Sequence, residues 1–413
     1  MASIGVFTYP LFGHVNYVSR LAKMLQRQAH NVYVYSGEKY KNLIRKRQLN
    51  YCSYPESVES MFKDVFIQTK NIEKEEFVDE LYRFGKYLFD ITAQIDMDFD
   101  EIALHRFDCI LYDSFAIWGS RIADRLKCRK VALITAHLIN DKMIDLHPEA
   151  FFSSFFDCME PPPISGHRLK RWIYLINQQL HQTYPQYDKL SILSESSNTG
   201  EQNFIVGMPE LQLYPHLIDE TTSMFIKPVF EQDTFPPKSK LISKQQKNIY
   251  ISLGTLNKNE ERFWEICILF FMQYDANVII STCGESVGDI NHIPNVHIRN
   301  FVDQMSILPY CDIFITHGGT NSFHEAVYFG IPMIVIPQKG DQYINAKVIS
   351  QLGIGLCIEK KSWSYFALRN SIQRILEDST YKNRCRELSE KYQKYADTDH
   401  VIRKITELIE TNR

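Results

Sequence analysis

Short apolar runs alternate with amphipathic stretches along the whole chain, a rhythm that predicts parallel sheets flanked by helices. In the first half the strand-like runs are Ile4–Thr8, Asn31–Tyr35, Phe107–Asp113, Lys130–Thr135 and Phe204–Val206. After the first run, Val15, Val18, Leu21, Ala22 and Leu25 recur at the 3.6-residue period of a helix. The turn Tyr9-Pro10-Leu11-Phe12-Gly13 separates the two. The second half repeats the plan with Asn248–Leu253, Val278–Ser281, Val296–Ile298, Ile313–Thr316, Met333–Ile336 and Gly355–Ile358. Between the halves, the lysine-rich stretch with Pro236-Pro237 suits an extended linker. Residues 137–200 break the rhythm with Pro161-Pro162-Pro163, many aromatics and a helical Leu169–Gln182. Such an insertion either shapes a substrate pocket or packs loops and helices together. Near the end, Val401, Ile402, Ile405, Leu408 and Ile409 fall on one helical face.

Composition narrows the picture. The 413 residues are too many for one ordinary core and suit two domains. With 46 basic against 49 acidic residues, the chain gives no electrostatic reason to expect nucleic acid or an anionic membrane as main partner. The basic run Lys41–Arg47 reads as a solvated helix face. No stretch approaches the ~20 apolar residues of a membrane span. The first apolar run has no basic region before it, so no secretory signal is expected and a cytoplasmic location is. Nine cysteines are scattered without a Cys-x-x-Cys and read as reduced packing thiols. Oligomeric state is not legible.

The sharpest local signal is Phe314-Ile315-Thr316-His317-Gly318-Gly319-Thr320-Asn321-Ser322, an apolar strand, two glycines and a helix start. Unpaired N–H groups and the helix dipole make such a junction an anion site, and glycines let the backbone approach phosphate oxygens. Glu325, one turn on, offers a carboxylate for two ribose hydroxyls. The same segment also reads as an ordinary turn with Asn321 or Ser322 as helix cap. A second glycine turn, Ser252-Leu253-Gly254-Thr255, ends the first strand of this half. Open α/β sheets bind ligands at such strand ends. No Gly-Lys-Ser/Thr or Gly-x-Gly-x-x-Gly occurs, which disfavours ATP hydrolysis and nicotinamide binding.

The ordered set Asn300-Phe301-Val302-Asp303-Gln304, Thr316 to Ser322, Glu325, Gly330-Ile331-Pro332, Pro337-Gln338, Asp341-Gln342 and Asn345-Ala346 resembles the nucleotide-sugar signature of the UDP-glycosyltransferase superfamily. Within it, the set is similar to soluble bacterial members that glycosylate macrolides, flavonoids and other natural products. Gly13-His14-Val15-Asn16 and Phe225-Ile226-Lys227-Pro228 extend the likeness over nearly the whole chain.

The resemblance implies the α/β GT-B architecture, two Rossmann-like domains with parallel sheets facing across a cleft. Residues 1–224 would bind the acceptor, 225–242 would be the linker and 243–385 would hold the donor. The helices of 386–413 would end by packing back on the first domain. It implies that Ser252, Gly254, Thr255, His317, Gly318, Gly319, Asn321 and Ser322 contact the diphosphate. Glu325 would hold the ribose, Phe301, Val302 and Gln304 the base, and Asp341 and Gln342 the sugar. Phe301 stands where the family usually has Trp or Tyr, Thr320 where bacterial relatives often have Met, and Tyr17 where Pro is common.

Sugar transfer needs a base for the acceptor hydroxyl. His14, in the loop after the first strand, titrates in the right range for its type. Asp113, closing a parallel strand, is the candidate to hold its other nitrogen. The alternatives are plain capping or packing for His14 and a helix cap for Asp113, with Asp108 and Asp141 as weaker substitutes. Asp96-Met97-Asp98 is an Asp-x-Asp triplet in the first half, and no residue set has metal-ligand spacing.

The expected activity is therefore inverting, metal-independent transfer of a sugar, glucose in the first instance, from a UDP-sugar to a small, partly apolar acceptor. A dTDP-sugar stays open, and no permanently bound cofactor is expected. The rival readings are a nucleotide-sugar epimerase or hydrolase on the same fold, and a non-catalytic auxiliary protein.

Overall fold

A computed structural model describes residues 1–62, 77–155, 157–161, 163–192, 199–228, 237–254, 261–284, 293–395 and 398–410. The chain divides into two compact units. The first comprises Met1–Phe156, Pro162–Phe230 and Tyr395–Arg413, the second Asp157–Pro161 and Glu231–Lys394.

The first unit is built on β1 (Ser3–Phe7), β2 (Asn31–Ser36), β3 (Asn50–Ser53), β4 (Cys109–Asp113), β5 (Arg129–Ile134), β6 (Gln202–Val206) and β7 (Ser223–Ile226). They form one parallel sheet in the order β3-β2-β1-β4-β5-β6-β7. Central strands such as β4 are buried along their whole length, as a sheet covered on both faces requires. The edge strand β3 carries no continuous apolar run, which is why the hydrophobic pattern does not predict it, and β7 has only the short Met224-Phe225-Ile226 run beside the segment read as linker. Phe225 and Ile226, read from sequence as the start of a linker, are the end of β7. Positions 229–236 of that stretch lie outside the described residues.

Helix α1 (Phe12–Arg27) turns Val15, Val18, Leu21, Ala22 and Leu25 into the sheet. The last helix, Thr398–Glu410, adds Val401, Ile402, Ile405 and Ile409 to the same core. One sequence reading changes here. Arg47 is not a solvated end to the basic run, because its guanidinium donates to Asn16 Oδ1 and Ser19 Oγ, both at 2.7 Å. Buried polar groups on the inner side of α1 need such a partner. Tyr17 is buried, and its hydroxyl donates to the Lys227 carbonyl at 3.1 Å, tying α1 to the chain leaving β7.

The second unit holds β8 (Asn248–Ser252), β9 (Asn277–Ser281), β10 (Val296–Arg299), β11 (Ile313–Thr316), β12 (Met333–Val335) and β13 (Gly355–Cys357). This parallel sheet runs β10-β9-β8-β11-β12-β13. The helix Ser379–Gln393 stays with this unit, where Ser389 Oγ donates to the Tyr328 carbonyl at 2.5 Å and Tyr392 Oη meets His324 Nδ1 at 2.7 Å.

Both sheets share one topology. The chain builds outward from the first strand to the third, then returns to the first strand's other side. The loops leaving β1 and β4, and those leaving β8 and β11, therefore diverge. Such a switch point opens a crevice at the carboxyl ends of the strands.

Candidate active site

The first unit's switch point brings His14 and Asp113 together. α1 begins right after the β1 loop, with Leu11 at its cap position, so His14 is the third helical residue and not the cap. Asp113 closes β4 and is fully buried. It is not a helix cap either, since the next helix, Trp118–Leu126, has Ile117 in that position.

His14 Nδ1 lies 2.7 Å from Asp113 Oδ2, while Asp113 Oδ1 accepts the Phe115 N–H at 2.9 Å. An ionised carboxylate only accepts hydrogen bonds, so Nδ1 carries the proton and the neutral ring's lone pair sits on Nε2. Tyr9 and Phe115 meet the imidazole edge-on, at ring separations of 5.6 and 5.0 Å. The pair is held in an aromatic setting that favours hydrogen-bonded over hydrated charge.

Thr135 belongs to this group and was missed from sequence. Its Oγ1 lies 3.0 Å from His14 Nδ1 and donates to Asp113 Oδ2 at 3.4 Å. The signal was present: Thr8, Asp113 and Thr135 each place a polar residue at the carboxyl end of neighbouring apolar strands. Asp108, one of the substitutes for Asp113, accepts the Ser3 N–H at 2.8 Å at the opposite end of the strands. Asp141 opens the helix Asp141–Leu146. Asp96, of the Asp96-Met97-Asp98 triplet, is engaged by Arg121 at 3.1 Å, Arg125 at 3.0 Å and the Tyr187 hydroxyl at 2.9 Å.

The second unit's switch point is a glycine cradle around His317. Gly318 has φ +80, and a Cβ there would lie 2.6 Å from Val335 Cγ1, so only glycine fits. Cβ atoms on Gly254 and Gly319 would approach the His317 ring to 2.8 and 2.4 Å. The imidazole is thus wedged between two bare backbones. The helix Thr320–Phe329 follows, with Gly319 at its cap position and no side chain capping it. Its first N–H groups and the positive end of its dipole lie beside the imidazole. Thr255 lies outside the described residues.

Burial lowers the His317 pKa to about 4, against the smaller opposing charge of Asp341. The ring is therefore neutral near pH 7, a neutral N–H donor and not a cation. The sign of its pH effect follows. The unfolded chain takes up a proton near 6.5 and the folded one only near 4. This contribution to stability is present above 6.5 and is lost as pH falls toward 4. Melting temperature should drop across that window, and a His317→Asn variant should drop less steeply. An equal slope in both proteins would assign the loss elsewhere.

Phe301, 75% exposed, sits on a loop anchored by buried Val302. Asp303 then caps the short helix Gln304–Ile307. Gln304 Nε2 donates to Glu325 Oε2 at 2.5 Å and to Ser322 Oγ at 3.4 Å. The structure thus brings Gln304, Ser322 and Glu325 into one cluster, with the exposed Phe301 three positions before Gln304 in the chain.

The helix Asp341–Leu352 closes the other side. Thr320 Oγ1 donates to Asp341 Oδ2 at 2.6 Å, and Asn345 Nδ2 donates to the Gly318 carbonyl at 2.7 Å. The departure from Met at position 320 thus fixes the Asp341 carboxylate. Gln342 is buried, and its Oε1 accepts the N–H groups of Gln338 at 2.8 Å and Lys339 at 3.2 Å. Its carbonyl shapes the turn, so its amide N–H group is the part suited to a ligand.

The chain is similar to known proteins. Residues 268–408 match the family model of the erythromycin biosynthesis protein CIII-like C-terminal domain. An uncharacterized UDP-glucosyltransferase of Bacillus subtilis (strain 168), YojK, is 24% identical over 94% of this chain and 93% of its own length. The solved glycotransferase of kitacinnamycin superposes with a TM-score of 0.77 at 20% identity, covering 98% of this chain and 99% of that one. The glycosyltransferase VinC, solved in complex with dTDP, gives 0.69 at 15% identity over 99% and 100% of the two chains. With its two parallel-sheet domains the chain has the GT-B fold, and its likeness to these relatives over nearly its whole length makes it a glycosyltransferase of natural-product type acting with nucleotide sugars.

Proposed function

We propose that the chain transfers glucose from UDP-glucose to a hydroxyl of a small, partly apolar acceptor, with inversion at the anomeric carbon. The observation that carries the chemistry is the 2.7 Å contact between His14 Nδ1 and Asp113 Oδ2. With Nδ1 donating to the carboxylate, Nε2 removes the acceptor proton as the acceptor oxygen attacks the anomeric carbon. The bond from that carbon to the diphosphate breaks on the opposite face. The proton ends on Nε2, and Asp113 stabilises the imidazolium that forms. Negative charge passes to the diphosphate, where the neutral His317 N–H, the first turn of Thr320–Phe329, Asn321 and Ser322 offer preorganised donors. Ser252 and Gly254 line the same cradle. Phe301 stacks on the base beside Val302 and Gln304, and Asp341 and Gln342 take sugar hydroxyls.

Relatives point to two donor bases, since YojK is named for UDP and VinC was solved with dTDP. Glu325 favours UDP. Its carboxylate, oriented by Gln304 at 2.5 Å, suits two ribose hydroxyls, of which a deoxyribose has one. Losing one charge-assisted hydrogen bond costs about 1.5–3 kcal/mol. UDP should therefore bind roughly 10–100-fold more tightly than dTDP, and Glu325→Ala should erase the difference. Calorimetric titration of both nucleotides checks this, and preference for dTDP would reverse the donor assignment.

The activity itself is tested by mass spectrometry of a polyphenol and macrolide panel incubated with UDP-glucose. A glycoside in the mass spectra whose anomeric proton coupling by NMR shows inverted configuration supports the reading. Donor cleavage without glycoside would favour a hydrolase, and an unchanged donor across the panel would overturn the reading.

A further inference from the structure

The turn that carries Asp341 and Gln342 is held by a residue from far away in the sequence. Asp157 precedes Gly340 by 183 positions, yet its Oδ1 accepts the Gly340 N–H at 2.8 Å. The segment Asp157–Pro161, although flanked in sequence by the first unit, belongs to the second. Gly340 has φ +60 and ψ −129 and occupies the cap position of the helix that opens with Asp341. An L side chain rarely adopts that backbone, so the direction in which the helix starts depends on this one residue.

Three consecutive amides of the turn are satisfied by side chains. Gln342 Oε1 takes those of Gln338 and Lys339, and Asp157 takes that of Gly340. Asp341 is then fixed from the other side by the Thr320 hydroxyl at 2.6 Å. Gln342 holds the part of the turn within its own reach. Asp157 holds the part next to Asp341.

We infer that Asp157 is a positioning residue for the sugar end of the donor site, fixing the Gly340-Asp341 step so that Asp341 and Gln342 meet the hydroxyls of the transferred sugar. The inference rests on the reading of Asp341 and Gln342 as sugar ligands. The ligand class is the hexosyl group of a nucleoside diphosphate sugar, and the nucleotide end is left alone. Burial raises the Asp157 carboxyl to about 6, against the Gly340 hydrogen bond and the Lys339 charge.

The test separates the two ends of the donor. Asp157→Ala removes the acceptor oxygen. Asp157→Asn keeps a carbonyl oxygen that can take the same N–H. Calorimetry gives the Kd of UDP alone, and steady-state kinetics with UDP-glucose give KM and kcat, with melting temperature as a check on folding. Asp157→Ala should raise the UDP-glucose KM about fivefold or more and leave the UDP Kd unchanged. Asp157→Asn should stay close to wild type in both. Loss of UDP and UDP-glucose affinity together in Asp157→Ala, or no change in either, would overturn the inference. If Asp157→Ala does not fold, Asp157→Asn decides with Asp157→Leu, which is close in size and cannot accept: equal KM values in the two would overturn it. Wild-type protein that binds neither UDP nor UDP-glucose would instead remove the functional reading beneath it.

Discussion

Replacing His14 with alanine should lower the transfer rate about 10²–10⁴-fold while the affinity for UDP-glucose stays within about twofold, because a general base acts on the chemical step and not on donor binding. Asp113→Asn should be nearly as severe. An asparagine in the same place can present its carbonyl to Nδ1–H, but it no longer stabilises the imidazolium; if its amide faces Nδ1 instead, the ring is driven to the tautomer with Nε2 protonated. Thr135, 3.0 Å from Nδ1, is neutral and can replace neither role. The measurement is kcat under donor saturation together with donor Kd. A His14→Ala enzyme with wild-type kcat would place the base elsewhere, and one that also loses donor affinity would make His14 a binding group.

Gly319→Ala should weaken nucleoside diphosphate binding roughly 10–100-fold without loss of melting temperature. The backbone at Gly319 has φ −60 and ψ 146, which alanine adopts freely. An alanine there also restricts the unfolded chain, a small stabilising effect. The conflict is with a side chain. The new Cβ would lie 2.4 Å from His317 Nε2, closer than real Cβ contacts come, so the ring cannot keep its place. His317 must rotate away from the cradle, and the donor at the diphosphate goes with it. Calorimetric titration with UDP, alongside thermal melting, separates this from general damage. Unchanged UDP affinity would show that the imidazole does not touch the diphosphate. A fall in melting temperature of many degrees would show that the cradle serves folding.

The strands of both sheets were legible wherever they are buried on both faces, since a covered parallel strand must be apolar along its length. β4 and β11 show this, as each is buried throughout. Edge strands escape that rule. β3 has only partly buried or exposed positions, and β7 lay hidden in a segment whose prolines and lysines read as linker. Charge patterning misled at Arg47, because sequence shows a run of like charges but not which member faces inward.

Of the site, the sequence by itself determined the parts that are continuous in the chain. The turn from His317 to Ser322 is one strand end, two glycines and one helix start, so its residue types and spacing already define an anion-binding shape. Distances between separate strands were decided only by the tertiary structure. Asp113 reaches His14 across 99 positions because β1 and β4 are paired neighbours with carboxyl ends at one edge. Thr135 joins them because β5 is the next strand in that order. The same holds for Thr320 on Asp341 and for Asp157 on Gly340, contacts that span 21 and 183 positions. Sequence periodicity reports which face of an element is buried, and strand order and register decide what that face meets.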